Sequence, residues 1–316
     1  MKIGVSSCLL GNKVRYDGTG TKDNFIVDNL TKYFQFIPFC PESVIFGTPR
    51  DTIRLINQNN EIIVSNNKTK ENVTNILNLE SSKQTNMAFD FDLCGFILKS
   101  KSPTCGLEKV KVYDDKHNTN IKNGVGVFAA QLKDKMPSLP IEEEGRLNDA
   151  WLRENFLMQV FAYSNLKSFL NNSPKLKNLI EFHTNYKYLI LSKSQEKYNI
   201  LGNIVANKEN LPLEQILKIY EKEFLISISI KNNRKKVFNV LLHIFGYFKK
   251  NIDTSEKELV LTILNDFKEG VVPLISIINI FNIYILRYNN QYLKKQVFLN
   301  PYPKDLILRS DLKSFK

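Results

Sequence analysis

Two hydrophobic periodicities divide this chain. Through residue 150, short apolar runs of strand length alternate with helix-period segments: strands over 2–6, over 36–39 into Cys40, over 95–99 and near 139–142, with helical patterns at 28–34, 85–91 and 125–132. This alternation predicts βαβ units, hence an α/β domain built on a mostly parallel sheet with helices on its faces. A loop with Gly11, Gly18 and Gly20 follows the first strand, and the Asn-, Lys- and Thr-rich stretch 57–70 reads as a surface loop or hairpin.

Beyond residue 151 the apolar positions recur every three or four residues, notably over 152–169, 213–224, 237–248 and 256–267. Such spacing predicts amphipathic helices and an all-helical C-terminal domain. Ser173-Pro174 offers an N-cap with proline at the first helical position, and Ser255-x-x-Glu258 resembles a capping box. The expected organisation is a domain over 1–150, a connecting helix and linker over 151–174, and a helical domain over 175–316. The longest apolar stretch, 271–286, is interrupted by Pro273, Ser276, Asn279 and Asn282, so it reads as a buried helix rather than a membrane span.

Charge sharpens the division. Residues 1–165 carry 20 Lys+Arg against 19 Asp+Glu, whereas residues 166–316 carry 24 against 13, for net charges of +1 and +11. An excess confined to one half points to a polyanionic partner, nucleic acid being the usual one. Compositional drift toward lysine gives the same count, and Lys235, Lys236, Lys249 and Lys250 read equally as a solvated face or as phosphate contacts. The apolar N-terminal start is short, lacks a basic leader and is broken by Gly4, so no secretory signal is expected. The expected compartment is the reducing cytoplasm, where four cysteines serve as ligands or buried thiols.

Cys8, Cys40 and Cys105 each fall where a strand-like run yields to a turn. Parallel sheets gather ligands beyond the C-terminal ends of their strands, so these thiols could converge on a soft metal or an iron–sulfur cluster. Spacing alone suits buried free cysteines as well, since there is no CxxC pair. Glu42 lies two residues after Cys40, and Ser102 three residues before Cys105, which adds a carboxylate for proton transfer and a hydroxyl for relay.

The strings Ser6-Ser7-Cys8-Leu9-Leu10-Gly11, Arg15-Tyr16-Asp17-Gly18, Cys40-Pro41-Glu42, Gly47-Thr48-Pro49-Arg50, Asp92-Leu93-Cys94-Gly95-Phe96-Ile97-Leu98-Lys99-Ser100 and Ser102-Pro103-Thr104-Cys105-Gly106-Leu107 resemble the thiouracil desulfidase domain. Phe182-His183-Thr184, the run from Leu242 to Lys250, and Val297-Phe298-Leu299-Asn300-Pro301-Tyr302-Pro303 resemble the helical domain fused to it in bacterial RNA 4-thiouridine desulfidases. The resemblance implies a 4Fe-4S cluster held by Cys8, Cys40 and Cys105 with one open iron, Glu42 as acid/base and Ser102 as assisting hydroxyl. It further implies non-redox conversion of 4-thiouridine in tRNA or other thiolated RNA to uridine, with release of hydrosulfide.

Other residues have plainer readings. Cys94 lies within a strand-like run and is expected to be structural; Arg15 and Arg50 are either substrate contacts or ion-pair partners. Glu142, Glu143 and Glu144 cannot share one strand face, so a structural or interdomain role is expected. His183 and His243 are expected to be packing residues, with RNA contact open to His183. Two rival functions remain: desulfuration of free thiouracil or thionucleotides, and a non-catalytic iron–sulfur nucleic-acid-binding protein. The latter needs neither Glu42 nor Ser102.

Overall fold

The computed structural model describes residues 1–114 and 119–306. The chain forms two compact units, Met1–Phe156 and Leu157–Lys316. In the first, β1 (Lys2–Ser6), β2 (Gln35–Phe39), β5 (Gly95–Leu98) and β8 (Ile141–Glu143) make a four-stranded sheet in the order β2-β1-β5-β8, every pair parallel. The connections include the short α1 (Pro41–Phe46), then α2 (Thr74–Asp90) and α3 (Val127–Lys135). From β1 the chain crosses to one side to make β2 and later returns on the other side to make β5. The C-terminal ends of these strands therefore border the kind of crevice where open α/β sheets bind ligands.

A second sheet, absent from the sequence-based expectation, inserts between these elements. β3 (Ile53–Gln58) and β4 (Glu61–Asn66) are the hairpin foreseen at 57–70, and β6 (Val110–Asp114) and β7 (Asn120–Gly124) complete the order β4-β3-β6-β7. Here β3 and β6 run parallel and the two outer pairs antiparallel. Ile53, Leu55, Val64, Leu77, Val110 and Val112 form its core.

Two N-terminal helices differ from expectation for local reasons. The predicted helix at 28–34 is instead a π-type turn over Phe25–Leu30, begun early because Asp23 accepts the Ile26 amide at 3.0 Å. The segment at 85–91 is only the end of α2, whose first half is rich in Asn and Ser and buries Ser81, Gln84 and Thr85 beside Leu77 and Ala88. Phe39, Phe96 and Phe128 pack ring against ring at 5.3–6.1 Å beneath the parallel sheet.

α4 (Ala150–Asn171) carries the chain into the second unit, where all described elements are helical: α5 (Leu176–Lys193), α6 (Gln195–Ala206), α7 (Leu213–Ser229), α8 (Arg234–Phe245), α9 (Thr254–Glu269), α10 (Leu274–Arg287) and α11 (Gln291–Lys294). Phe182, Tyr186 and Phe224 pack with ring centroids 4.6–5.4 Å apart. Two predicted caps are displaced. Ser173 adopts a left-handed φ of 49° and α5 starts after it, while α9 is capped by Asp253, which accepts the Glu256 amide at 2.8 Å. The stretch at 271–286 is amphipathic rather than wholly buried, since Ile277, Ile278 and Phe281 are enclosed but Val271, Ile283 and Leu286 face solvent. Among the described residues no helix is long and apolar enough to cross a membrane.

The loop after β5 is fastened to the start of α3. Pro103 and Thr104 carbonyls accept the Val127, Phe128 and Ala129 amides at 2.9–3.2 Å, donors that a helix N-terminus leaves unsatisfied. A Cβ at Gly126 would lie 2.5 Å from the Thr104 carbonyl and 2.8 Å from the Cys105 nitrogen, so only glycine permits this approach. Gly126→Ala should therefore lower stability by about 1–3 kcal/mol, the cost of an overpacked interior, read as a fall in the urea midpoint at constant slope.

Candidate active site

Each thiol is delivered by a strand end. Cys8 sits in the 3-10 turn Ser7–Leu10 directly after β1, closed by Gly11 at φ 91°. Cys40 follows β2 and precedes α1, its amide held by Gln84 Oε1 at 3.1 Å. Cys105 lies in the loop after β5. All three line one cavity of about 250 Å³ together with Arg15, Tyr16, Glu42, Arg50, Lys99 and Ser102. Cys94 precedes β5, is buried and lies outside this cavity.

Cys8 and Cys40 are partly exposed and Cys105 is buried. Burial pushes the Cys8 thiol up to about 11, with Cys40 adding to the rise and Lys99 opposing it. Cys105 is raised further by burial, relieved in part by Ser6 and reinforced by Cys40, Glu42 and Cys8. Among the described residues, no three His, Cys, Asp or Glu side chains gather closely enough to hold a single metal ion.

Glu42 has two anchors. Arg50 donates through Nη2 to its Oε2 at 3.0 Å, and Ser102 Oγ donates to Oε1 at 3.4 Å. Ser102 Oγ also accepts the Thr104 and Cys105 amides at 3.1 Å, so one hydroxyl links the carboxylate to the Cys105 loop. Arg50 is only 5% exposed at its side chain and gives Nη1 to the Val14 and Gly47 carbonyls at 2.9 and 3.0 Å. The ion pair with Glu42 is formed, and Arg50 also lines the cavity. Arg15 remains at the cavity wall, over the Tyr16 ring at 5.4 Å and 3.7 Å from Asp17.

The sequence pattern assigns no role to Lys99 or Gln84, and Glu144 takes the structural role expected of its acidic run. Lys99 lines the cavity, pairs with Glu144 and lies beside Ser100, whose amide and hydroxyl also reach Glu144 at 2.7 and 2.8 Å. The available signal was a cation immediately after the four buried residues of β5. The other two acids are likewise used locally: Glu142 accepts from Arg146 at 2.6 Å and Glu143 from the Leu107 amide at 2.7 Å.

In the helical unit, His183 is buried against the Tyr220 hydroxyl at 3.3 Å, and burial lowers its pKa to about 4. His243 is exposed, contrary to the packing role expected from its apolar neighbours. Lys236 Nζ donates to the Lys193 carbonyl at 2.7 Å, and Lys249 lies 5.5 Å above Phe245. Lys235 and Lys250 are exposed.

Comparison with known proteins accords with this division. Residues 3–144 match the 2-thiouracil desulfurase family, and residues 187–303 match a family described as a protein of unknown function, DUF1722. The uncharacterized protein YbgA of Escherichia coli (strain K12) is 26% identical over 157 residues, 49% of this chain and 93% of that protein. The uncharacterized protein YbbK of Bacillus subtilis (strain 168) is 29% identical over 151 residues, 46% of this chain and 97% of its own length. Among solved structures, the [4Fe-4S]-dependent thiouracil desulfidase TudS is 25% identical, with a TM-score of 0.38 over 46% of this chain and 93% of its own.

Removing Arg50 would strand Glu42 in a largely enclosed site. Arg50→Met should cost about 3 kcal/mol, the lower end for breaking a buried pair because Glu42 retains 17% exposure. Urea unfolding of Arg50→Met beside Arg50→Met/Glu42→Gln tests this; the double variant should recover part of the loss.

Proposed function

We propose that this protein hydrolyses the carbon–sulfur bond of a thiolated pyrimidine, that its substrate is 4-thiouridine in tRNA, and that it works in the cytoplasm. The observation that carries the reading is a single cavity bringing three thiols, a clamped carboxylate and a hydroxyl to the C-terminal edge of a parallel sheet. The match of residues 3–144 to the 2-thiouracil desulfurase family supports it.

The donor set fits a 4Fe-4S cluster. Three soft thiols share one cavity, and a polynuclear cluster bridges ligands too far apart for a single ion. Cys8, Cys40 and Cys105 would hold it, and when bound it supplies an open, Lewis-acidic iron for the soft thiocarbonyl sulfur.

The chain's own residues account for the rest. Arg50 fixes the carboxylate, leaving Glu42 positioned to take a proton from the water whose oxygen replaces sulfur at the ring carbon. The sulfur leaves as hydrosulfide, with no net change in oxidation state. Ser102, anchored by two loop amides, presents its hydroxyl beside Glu42 and can pass that proton onward. Lys99 places a cation at the wall where negative charge develops. The +11 of residues 166–316 supports RNA as the carrier of the base. Cavity size favours a second reading, the free thiobase: about 250 Å³ falls below the ~300–1,000 Å³ of drug-sized ligand pockets.

After anaerobic reconstitution, Cys8→Ala, Cys40→Ala and Cys105→Ala should lose iron and visible absorbance, and Cys94→Ala should retain both. Glu42→Gln should keep the cluster yet slow turnover on thiolated tRNA by about 10²–10⁴-fold; a normal rate removes Glu42 from the chemistry.

RNA affinity should fall with salt at a log–log slope of about −0.9 per neutralised duplex phosphate. Reversing Lys235, Lys249 and Lys250 to Glu should flatten that slope while leaving turnover of free thiouracil unchanged. Lys236 is kept because it caps α5. An unaltered affinity and slope in a folded variant would assign the basic excess to composition.

A further inference from the structure

One group of side chains in the helical unit has a composition that core packing does not require. Tyr247 and Tyr292 stack at 5.5 Å with planes 21° apart, and Tyr188 meets Tyr292 edge-on at 6.3 Å. Lys187 brings its ammonium 5.9 Å from the centre of the Tyr292 ring. The four residues come from α5, from the turn after α8 and from α11, so the fold assembles them from three separate segments.

This group holds a cation among phenols, each of which can donate and accept, and no carboxylate. An ammonium offers three N–H donors and no acceptor, and each neutral phenol adds one O–H. No carboxylate pairs with Lys187 among the described residues; its strongest polar neighbours are Tyr292, Tyr198 and Tyr247. The Tyr292 hydroxyl is buried beside the Lys187 ammonium and the Tyr247 hydroxyl. Burial, reinforced by neighbouring phenols, raises the Tyr188 pKa, and burial raises that of Tyr292, so both remain protonated donors at neutral pH. At the surface the opposite property appears. Tyr247 is 44% exposed and is backed by Tyr292, giving a supported aromatic platform beside a cation.

We propose that Lys187, Tyr247 and Tyr292 form a nucleotide-binding point in which a phosphodiester oxyanion of RNA meets Lys187 while an unpaired base stacks on Tyr247, which Tyr292 supports from behind. This rests on the reading that the helical unit engages RNA and adds to it a site at which single-stranded RNA is gripped. Stacking on aromatic residues tolerates any base, because every base has a π face. The excess of +11 over residues 166–316 draws a polyanion rather than a carboxylate-bearing metabolite.

The test measures binding of thiolated tRNA and of single-stranded poly(U) to the full-length, cluster-loaded protein across a salt series. Tyr247→Ala should weaken both by about ten-fold or more with the salt slope unchanged, while Tyr247→Phe should retain most of the affinity. Lys187→Gln should reduce the slope by roughly 0.7–0.9. Thermal melts confirm folding, and Lys187→Gln carries the test if the alanine variant unfolds. The inference falls if folded Tyr247→Ala and Lys187→Gln bind both RNAs as the wild type does. If they do so while reversal of Lys235, Lys249 and Lys250 still weakens binding, RNA engagement stands and only this point of contact is lost. A wild type that binds neither RNA overturns both. Tight binding of inorganic phosphate alone, abolished by Lys187→Gln with no effect on RNA, would reassign the site to free phosphate.

Discussion

The opening turn of α3 holds the cavity in shape. A loop leaving a parallel strand has no ladder partner for its carbonyls, and a helix N-terminus has amides with no intrahelical acceptor. In this unit each satisfies the other: Pro103 and Thr104 receive the first amides of α3, and Gly126 gives the Gly106 carbonyl its amide at 2.7 Å. Cys105 therefore stands where backbone hydrogen bonds put it, and Ser102 and the loop move only if α3 moves. The parallel register of β1 with β2 and β5 then brings the Cys8 and Cys40 turns to the same sheet edge.

Within this frame the charges are arranged for orientation. Glu42 keeps enough contact with the cavity to exchange a proton, yet its direction is fixed by an arginine that is nearly wholly enclosed. That arginine also joins the loop carrying Val14 to the loop carrying Gly47, so two cavity walls and the carboxylate share one guanidinium. Its Nε has no hydrogen-bond partner, a residual cost accepted for the geometry of its other nitrogens. Lys99 is treated similarly: Glu144 balances its charge within the unit while its side chain still faces the cavity.

The sequence made some of this legible because some signals are local. A cysteine at the end of a four- or five-residue apolar run predicts its own position, and the lysine-rich helices declare themselves by period. The second sheet lacked such a signal. β7, Asn-Ile-Lys-Asn-Gly, has almost no apolar alternation because it is largely exposed and pairs only through β6. The start of α2 was hidden for the converse reason, since Ser81, Gln84 and Thr85 are polar residues in buried places. Arg50 illustrates a third limit: a cation near glycines suggests phosphate, and only tertiary structure shows its pairing with Glu42. His243 errs the other way, its apolar neighbours lying on the buried face of α8 while it projects from the other.

A net charge counts cations without saying which are available. Lys236 is spent on the last carbonyl of α5, Lys197 on Glu223 at 2.8 Å, Lys218 on Glu214 at 2.8 Å and Lys295 on Glu181 at 3.0 Å. Each of these would have to exchange an existing partner for a phosphate, which recovers little free energy at an exposed pair and less at an enclosed one. The cations that keep no such partner among the described residues are thus a subset, and Lys235 and Lys250 of the sequence runs belong to it. Lys187, held among phenols instead of carboxylates, belongs to that subset although no basic cluster surrounds it in the sequence. What would fit the helical unit for a polyanion is therefore the pairing of each cation, more than the excess of +11 itself.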